Sequence, residues 1–325
     1  MERKKNKIKI GFSLPNHIGD FLYALPTIYN AYKNLENKVE IYLFGKKHLK
    51  AYLPFLPFKV NFFEREKFFK DLNKIKRLKL NYFFHIHQSI YWTFLSFLAK
   101  IPNRIGFREA PFNFLYTDNK AFKNGPSSCE NFLKLISNYF KIEKKDYYGL
   151  LKKDNSFSKI KKKKNTIYIG FAPFSGDIYR SYPKENLKTF IKIFEKEFKN
   201  KNIFLVLFGS KVQKIEVNSK KVINLIGKTS LLELISTIAD MDYFISVDTG
   251  PLHIALSMKI KTIGLFGGTD FKLIIPYSKY FYPLYKILPC SFCWGKRDCK
   301  NYLCMKNITP QLIIKNLKSI TEELL

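Results

Sequence analysis

Cysteine is scarce and odd in number, five in 325 residues, which excludes a disulfide scaffold as the source of stability. No apolar run approaches the roughly 18–20 residues that a membrane-crossing helix needs. The basic stretch MERKKNKIKIGF leads into an apolar segment that Asn16, His17 and Asp20 interrupt, too short for the apolar core of a secretory signal. Neither a GxGxxG dinucleotide fingerprint nor a Walker A sequence occurs. These gaps predict a cytoplasmic protein with reduced thiols. Acids are also few: 26 Asp and Glu against 57 Lys and Arg leave a net charge of +31. Two causes stand for that excess. One is a drift toward Lys, Asn, Ile and Phe of the kind AT-rich codons produce. The other is a partner carrying phosphates or carboxylates: nucleic acid, an anionic lipid surface or a nucleotide.

Apolar residues are plentiful at 46%, with 32 Phe and 20 Tyr, so the chain has the apolar area to fold. Its length predicts about two domains. The Lys-rich segment KKDNSFSKIKKKK at 152–164 reads as a solvated, self-repelling linker between them. The expected layout is an N-terminal domain over 1–151, a linker over 152–165, and a C-terminal domain over 166–310. That second domain holds a Cys-rich loop at 289–305, and a terminal helix covers 311–325. Before the linker, strands at Lys7–Leu14, Val39–Phe44 and Tyr82–Ile86 alternate with helices at Gly19–Leu35, Phe69–Leu78 and Tyr91–Ala99. Pro26 marks a start or kink in the first helix. After it, strands at Thr166–Phe171, Ile203–Phe208, Val222–Leu225, Tyr243–Val247 and Thr262–Phe266 alternate with helices at Lys184–Phe198, Leu231–Ala239 and Pro251–Met258. The fold class is therefore α/β, with two Rossmann-like domains facing across a cleft and ligands at the carboxyl ends of the strands.

Six constellations are candidates for chemistry. At the first strand–helix join stand Asn16, His17, Gly19 and Asp20. Asp20 reads either as a helix cap or as a carboxylate placed to deprotonate an incoming hydroxyl. In Asp248-Thr249-Gly250-Pro251-Leu252-His253, Pro251 suits a first helical position. The N–H groups of Thr249, Gly250 and Leu252 are expected to bind a diphosphate, with His253 in the same turn. The loop Pro173–Pro183 offers Ser175, Gly176 and Ser181 for close backbone approach and Arg180 as a phosphate clamp. A glycine-rich turn, Gly264–Asp270, follows the last strand. Cys290, Cys293, Cys299 and Cys304 fall within fifteen residues. They read as a structural Zn or Fe site or as reduced, partly buried thiols. Cys129 reads as structural. His85 and His87, two apart on a strand, would share a face as a metal pair does, or pack structurally. The aromatic stretch Tyr91–Leu98 reads as core or as a membrane-resting surface.

PNHIGDFLYALP, IPNRIGF, INLIGKTSLLEL, VDTGPLHIA, GLFGGTD and the CSFC…C…CM tail occur in this order. Together they resemble glycosyltransferase family 9, the ADP-heptose:lipopolysaccharide heptosyltransferases, in the PN-x-x-GD version of its heptosyltransferase II branch, over about residues 8–320. The resemblance implies a GT-B fold and an inverting, metal-independent transfer of heptose from a nucleotide donor. It maps the proposed base onto Asp20 and a donor-holding basic residue onto Arg180. Asp248, Thr249, Gly250 and His253 fall beside the donor phosphates, and Lys228, Thr229 and Ser230 where the nucleotide base sits. No cofactor is implied for transfer. The implied acceptor is a phosphorylated lipopolysaccharide core glycolipid, and the implied location the inner face of the inner membrane. The chain departs from the family with Lys211 and Gln213 where an acid is common, with HIHQ at 85–88, and with Tyr182 for the usual Trp. Two other functions remain open from sequence: transfer of another sugar or to a protein acceptor such as an autotransporter, and a basic nucleic-acid-binding protein with a four-cysteine module. The second lacks any nucleic-acid-binding signature, so no nucleic-acid partner is expected.

Overall fold

The computed structural model describes residues 7–123, 127–143, 148–213, 215–275, 278–296, 299 and 301–321. The chain divides into two units, Met1–Leu150 and Leu151–Leu325.

In the first unit the strands are β1 (Ile8–Ser13), β2 (Val39–Gly45), β3 (Asn61–Glu64), β4 (Tyr82–His85), β5 (Asn103–Phe107) and β6 (Asp118–Lys120). Between them run α1 (Ile18–Leu35), α2 (Phe68–Leu78) and α3 (Ile90–Leu98), with α4 (Ser128–Ile136) after β6. The sheet order is β3-β2-β1-β4-β5-β6, and the paired strands are parallel. Ile10–Ser13 of β1 and Ile41–Gly45 of β2 are buried throughout, which is why apolar residues run together there and the charged Lys9 and Glu40 lie before those stretches. The Phe44 ring packs 5.2 Å from Phe83 and 5.4 Å from Trp92, joining sheet to α3. Pro26 neither starts nor ends α1, which runs on to Leu35; one turn on, Asn30 Nδ2 donates to the Pro26 carbonyl at 2.8 Å.

The second unit repeats the plan. Its strands are β7 (Ile167–Ala172), β8 (Ile203–Leu207), β9 (Val222–Asn224), β10 (Tyr243–Val247), β11 (Lys261–Phe266) and β12 (Phe281–Tyr285). Its helices are α5 (Lys184–Glu197), α6 (Leu231–Ile238), α7 (Gly250–Ser257), α8 (Phe271–Ile274), α9 (Leu303–Lys306) and α10 (Pro310–Thr321). The order β12-β11-β10-β7-β8-β9 is the same arrangement read from the other edge. Ile313 and Leu317 of α10 join Phe190 and Phe194 of α5 in the core.

The Lys-rich segment is not a free linker. Asn155 Nδ2 donates to Asp240 Oδ1 at 2.8 Å, and the Phe157 and Lys159 N–H groups donate to Ser236 Oγ and Thr237 Oγ1 at 2.9 Å. Lys159 and Lys162 pair with Glu233 and Asp242. Acids and hydroxyls on and just after α6 thus offset the lysine repulsion that the composition alone predicts. Among the described residues no helix is long and apolar enough to cross a membrane.

In both sheets the direction of strand progression reverses once, between β1 and β4 and between β7 and β10. Loops leaving the carboxyl ends of those strands splay apart and leave room for a ligand. Close packing of β7 on β10 is a condition for that geometry. A Cβ at Gly170 would lie 2.4 Å from the Phe244 ring. Gly170→Ala is therefore expected to cost about 1–3 kcal/mol of stability. A urea titration checks this, and an unchanged midpoint would contradict the close packing.

Candidate active site

In the second unit, the loop after β7 and the loop after β10 meet at the strand-order reversal. The first loop closes on itself: Tyr182 N–H donates to the Pro173 carbonyl at 2.7 Å, and Ser175 N–H to Ser181 Oγ at 3.0 Å. Tyr182 is buried, with its hydroxyl donating to the Ile308 carbonyl at 2.9 Å. The ring-like loop carries Arg180 at the end of a short 3₁₀ turn. Arg180 Nη1 donates to Asp248 Oδ2 at 3.2 Å, tying the two loops together, while Nη2 pairs with Asp177. Its Nε is buried with no partner among the described residues. Burial opposes the guanidinium charge, but Asp248 and Asp177 outweigh it and hold the group's pKa above its ordinary value.

Thr249 is the N-cap of α7, with Gly250 and Pro251 opening the helix. Neither the Thr249 nor the Gly250 N–H has a backbone partner among the described residues, so both are available to an anion at the positive end of the helix. Leu252 does not join them. Its N–H donates to the Thr249 carbonyl at 3.0 Å, because the tight first turn turns that group inward. His253 is buried, with Nε2 3.9 Å from Asp248 Oδ1. Lys228 and Thr229 lie in the loop before α6. The Ser230 hydroxyl is taken up capping α6, accepting the Glu233 N–H at 3.3 Å.

In the first unit, α1 opens after β1 with His17 as N-cap, without a side-chain cap bond. Asp20 is thus not the cap but a first-turn acid, where the helix dipole favours its ionised form. Gly19, the residue before it, lies in the same first turn. Asn16 Nδ2 lies 3.0 Å from His87 Nε2, and His48 Nε2 lies 3.0 Å from the Asn16 carbonyl. The loops after β1, β2 and β4 are joined in this way at the reversal point. Burial, then Lys46 and His17, holds His87 below the ordinary histidine range, which keeps its ring neutral.

His85 and His87 do not form a pair. β4 ends at His85, so the alternation that would align them stops. His85 is buried against Phe83 and Tyr116 with Nε2 3.1 Å from Ser96 Oγ, while His87 turns to Asn16. The four clustered cysteines do converge. Cys290, Cys293, Cys299 and Cys304 line one cavity of about 420 Å³ beside Tyr179 and Gly268. Yet among the described residues no three or more His, Cys, Asp or Glu side chains are placed to hold a metal, so the Zn or Fe expectation has no support in this arrangement. Cys304, a buried residue of α9, lies under the Gly267 backbone, where an added Cβ would be 2.8 Å from its Sγ. Cys129 is buried in α4, as a structural residue would be.

The partners of two residues in the loops after β7 and β8 escaped the sequence reading. Asp177 shares Arg180 with Asp248. Gln213 Nε2 donates to the Ser175 carbonyl at 2.8 Å and Oε1 accepts the Ser210 N–H at 3.0 Å, fixing the loop after β8 to the loop after β7. Only the three-residue spacing of Asp177 from Arg180 was available as a signal; Gln213 had none beyond being where an acid is common.

The model of glycosyltransferase family 9 (heptosyltransferase) matches residues 73–302. Lipooligosaccharide heptosyltransferase 2 of Campylobacter jejuni is 37% identical over 103 residues, 31% of this chain and 33% of that protein. The match therefore spans about a third of the length of that curated relative. Among solved structures, ADP-heptose lps heptosyltransferase II of E. coli superposes with a TM-score of 0.78 at 18% identity, covering 97% of this chain and 100% of that one. E. coli heptosyltransferase WaaC with ADP-2-deoxy-2-fluoro heptose gives 0.71 at 13% identity, covering 96% and 99%. At such identities the likeness establishes the fold, the GT-B succession of two Rossmann-like units.

The two fully buried histidines impose a pH dependence on the fold. Burial, reinforced by Arg104, takes His85 down to about 3. Burial, with Asp248 working against it and Arg180 adding to it, takes His253 down to about 4. Unfolded histidine binds its proton near 6.5, so below that pH the unfolded chain gains protons that the native chain refuses. Stability is thus intact above about pH 6.5 and falls as pH drops toward 4. A lower urea midpoint at pH 5 than at pH 7 is expected, with a smaller drop in His253→Gln; equal midpoints would contradict it.

Proposed function

The chain belongs to glycosyltransferase family 9, and from that premise we propose that it transfers a heptose from ADP-heptose to the inner core of lipopolysaccharide. The transfer inverts the anomeric centre. The observation that carries the reading is Arg180, held between Asp248 and Asp177 where the loops after β7 and β10 meet, with a buried Nε still lacking a partner. A guanidinium so placed, next to the unused N–H groups of Thr249 and Gly250, suits the departing diphosphate.

In the proposed reaction, Asp20 takes the proton of an acceptor hydroxyl while its oxygen attacks the anomeric carbon from the face opposite the diphosphate. The bond between that carbon and the phosphate oxygen breaks, and ADP leaves with the electron pair. Arg180 and the two N–H groups stabilise the charge that develops there. Ser175, Gly176 and Ser181 shape the loop around the diphosphate. Asp248 and His253 orient Arg180 from beneath, and Lys228, Thr229 and the backbone at Ser230 take the nucleotide. Asn16, His17 and Gly19 present the acceptor to Asp20. Transfer needs no cofactor. The acceptor is a glycolipid, and the protein works at the cytoplasmic, anionic face of the inner membrane as a peripheral protein. The names of the matched relatives and the ADP-heptose analogue in one of the similar structures support donor and acceptor.

Transfer from ADP-heptose to purified core glycolipid tests this reading, and its absence in the wild type would overturn it. Asp20→Asn is expected to fold and bind ADP as wild type does, with turnover lowered about 100-fold or more. Wild-type turnover in that variant would remove Asp20 as the base.

A further inference from the structure

We propose that the first unit docks on an anionic lipid bilayer through an aromatic face made by α3 and the loop between β5 and β6. α3, IYWTFLSFL, carries no charge. Trp92 and Leu95 face the core, but Ile90, Phe97 and Leu98 remain 47%, 43% and 41% exposed. The neighbouring loop adds Phe112 and Phe114, 41% and 75% exposed. These residues form one surface: the Phe112 ring lies 5.0 Å from Phe94 of α3 and 6.0 Å from Phe114. A contiguous exposed apolar patch of this kind marks an interaction site.

The loop's backbone shows the same. Phe112 adopts φ 58, the left-handed region that bulky side chains avoid. A turn holds it there, with the Leu115 N–H donating to the Phe112 carbonyl at 3.0 Å. That backbone leaves the Phe112 ring partly exposed against Phe94 and Phe114 largely exposed, as a surface used for binding requires.

Charge selects the partner. Lys100 and Arg108 are exposed at the margin of the patch, and the Arg104 guanidinium stands 5.6 Å from the Phe97 ring centre. The one acid in residues 88–117 is Glu109, whose carboxylate accepts the Phe122 N–H at 2.9 Å. Aromatic rings inside a basic rim, on a chain of net charge +31, match an interface with acyl chains below and anionic headgroups above. The purpose of such docking rests on the proposed glycolipid acceptor, but its test does not, because vesicle binding needs neither donor nor acceptor.

The full chain is sedimented with vesicles of phosphatidylcholine alone and of phosphatidylcholine mixed with phosphatidylglycerol, and its mass is followed by analytical ultracentrifugation. Wild type is expected to partition onto the mixed vesicles and far less onto phosphatidylcholine. Phe112→Ser/Phe114→Ser is expected to lower that partition about tenfold or more, with thermal unfolding and ADP binding unchanged. Lys100→Glu/Arg108→Glu, which leaves the rings intact, is expected to abolish the preference for anionic lipid. Vesicle binding by the double-serine variant equal to wild type would overturn the proposal, as would no binding by wild type. A fall in mass on substitution without loss of vesicle binding would also overturn it, and assign the face to contacts between copies of the chain.

Discussion

The ion pair between Arg180 and Asp248 is the contact on which the donor side depends. Asp248 is 5% exposed, and a carboxylate so buried is costly unless a partner compensates it. Arg180 supplies that partner at 3.2 Å and crosses from one loop to another to do so. The bond fixes the loop after β7 against the loop after β10, at the one place where the strand order leaves them free to separate. It also brings a guanidinium beside the N-terminus of α7, two features that favour negative charge. A diphosphate arriving there finds its cationic partner already oriented, which limits the ordering that binding would otherwise cost.

The first unit closes its own reversal point with hydrogen bonds to Asn16. Asn16 meets His87, and His48 meets the Asn16 carbonyl. This difference follows from the chemistry assigned to each side. A departing diphosphate calls for fixed positive charge, whereas a hydroxyl being deprotonated calls for an ionised carboxylate. The position of Asp20 in the first turn of α1 supplies that carboxylate through the helix dipole.

Much of this was legible in the order of residues. The central strands β1, β2, β7, β8 and β10 read clearly because parallel strands covered on both faces are mostly apolar. β6, with the sequence DNK, and β3, with NFFE, are the two edge strands of the first sheet and carry no such run. α4 starts with a capping box at Ser127 and Glu130, a signal present in the sequence and passed over. The loops after β7 and β10 were legible as turns because turn chemistry is local: Gly, Ser and Pro at 173–183, and Thr, Gly and Pro at 249–251. What sequence could not give was partnership across long separations. Nothing near Asp248 says that Arg180 comes to it, nor near Gln213 that it holds Ser175. Likewise, lysine density at 152–164 gave no hint of the hydroxyls and acids of α6 that receive it. His85 and His87 were misaligned for a single reason, the end of β4 between them.

Arg180, oriented by Asp248, is the group proposed to receive the donor diphosphate. Calorimetric titration of ADP into the wild type and into Arg180→Lys tests it most directly, because lysine keeps the charge that Asp248 needs while losing the two-pronged donor. Measurable ADP binding by the wild type and at least about tenfold weaker binding by the variant are expected, with a similar unfolding midpoint. ADP binding of equal strength in the two proteins would contradict it.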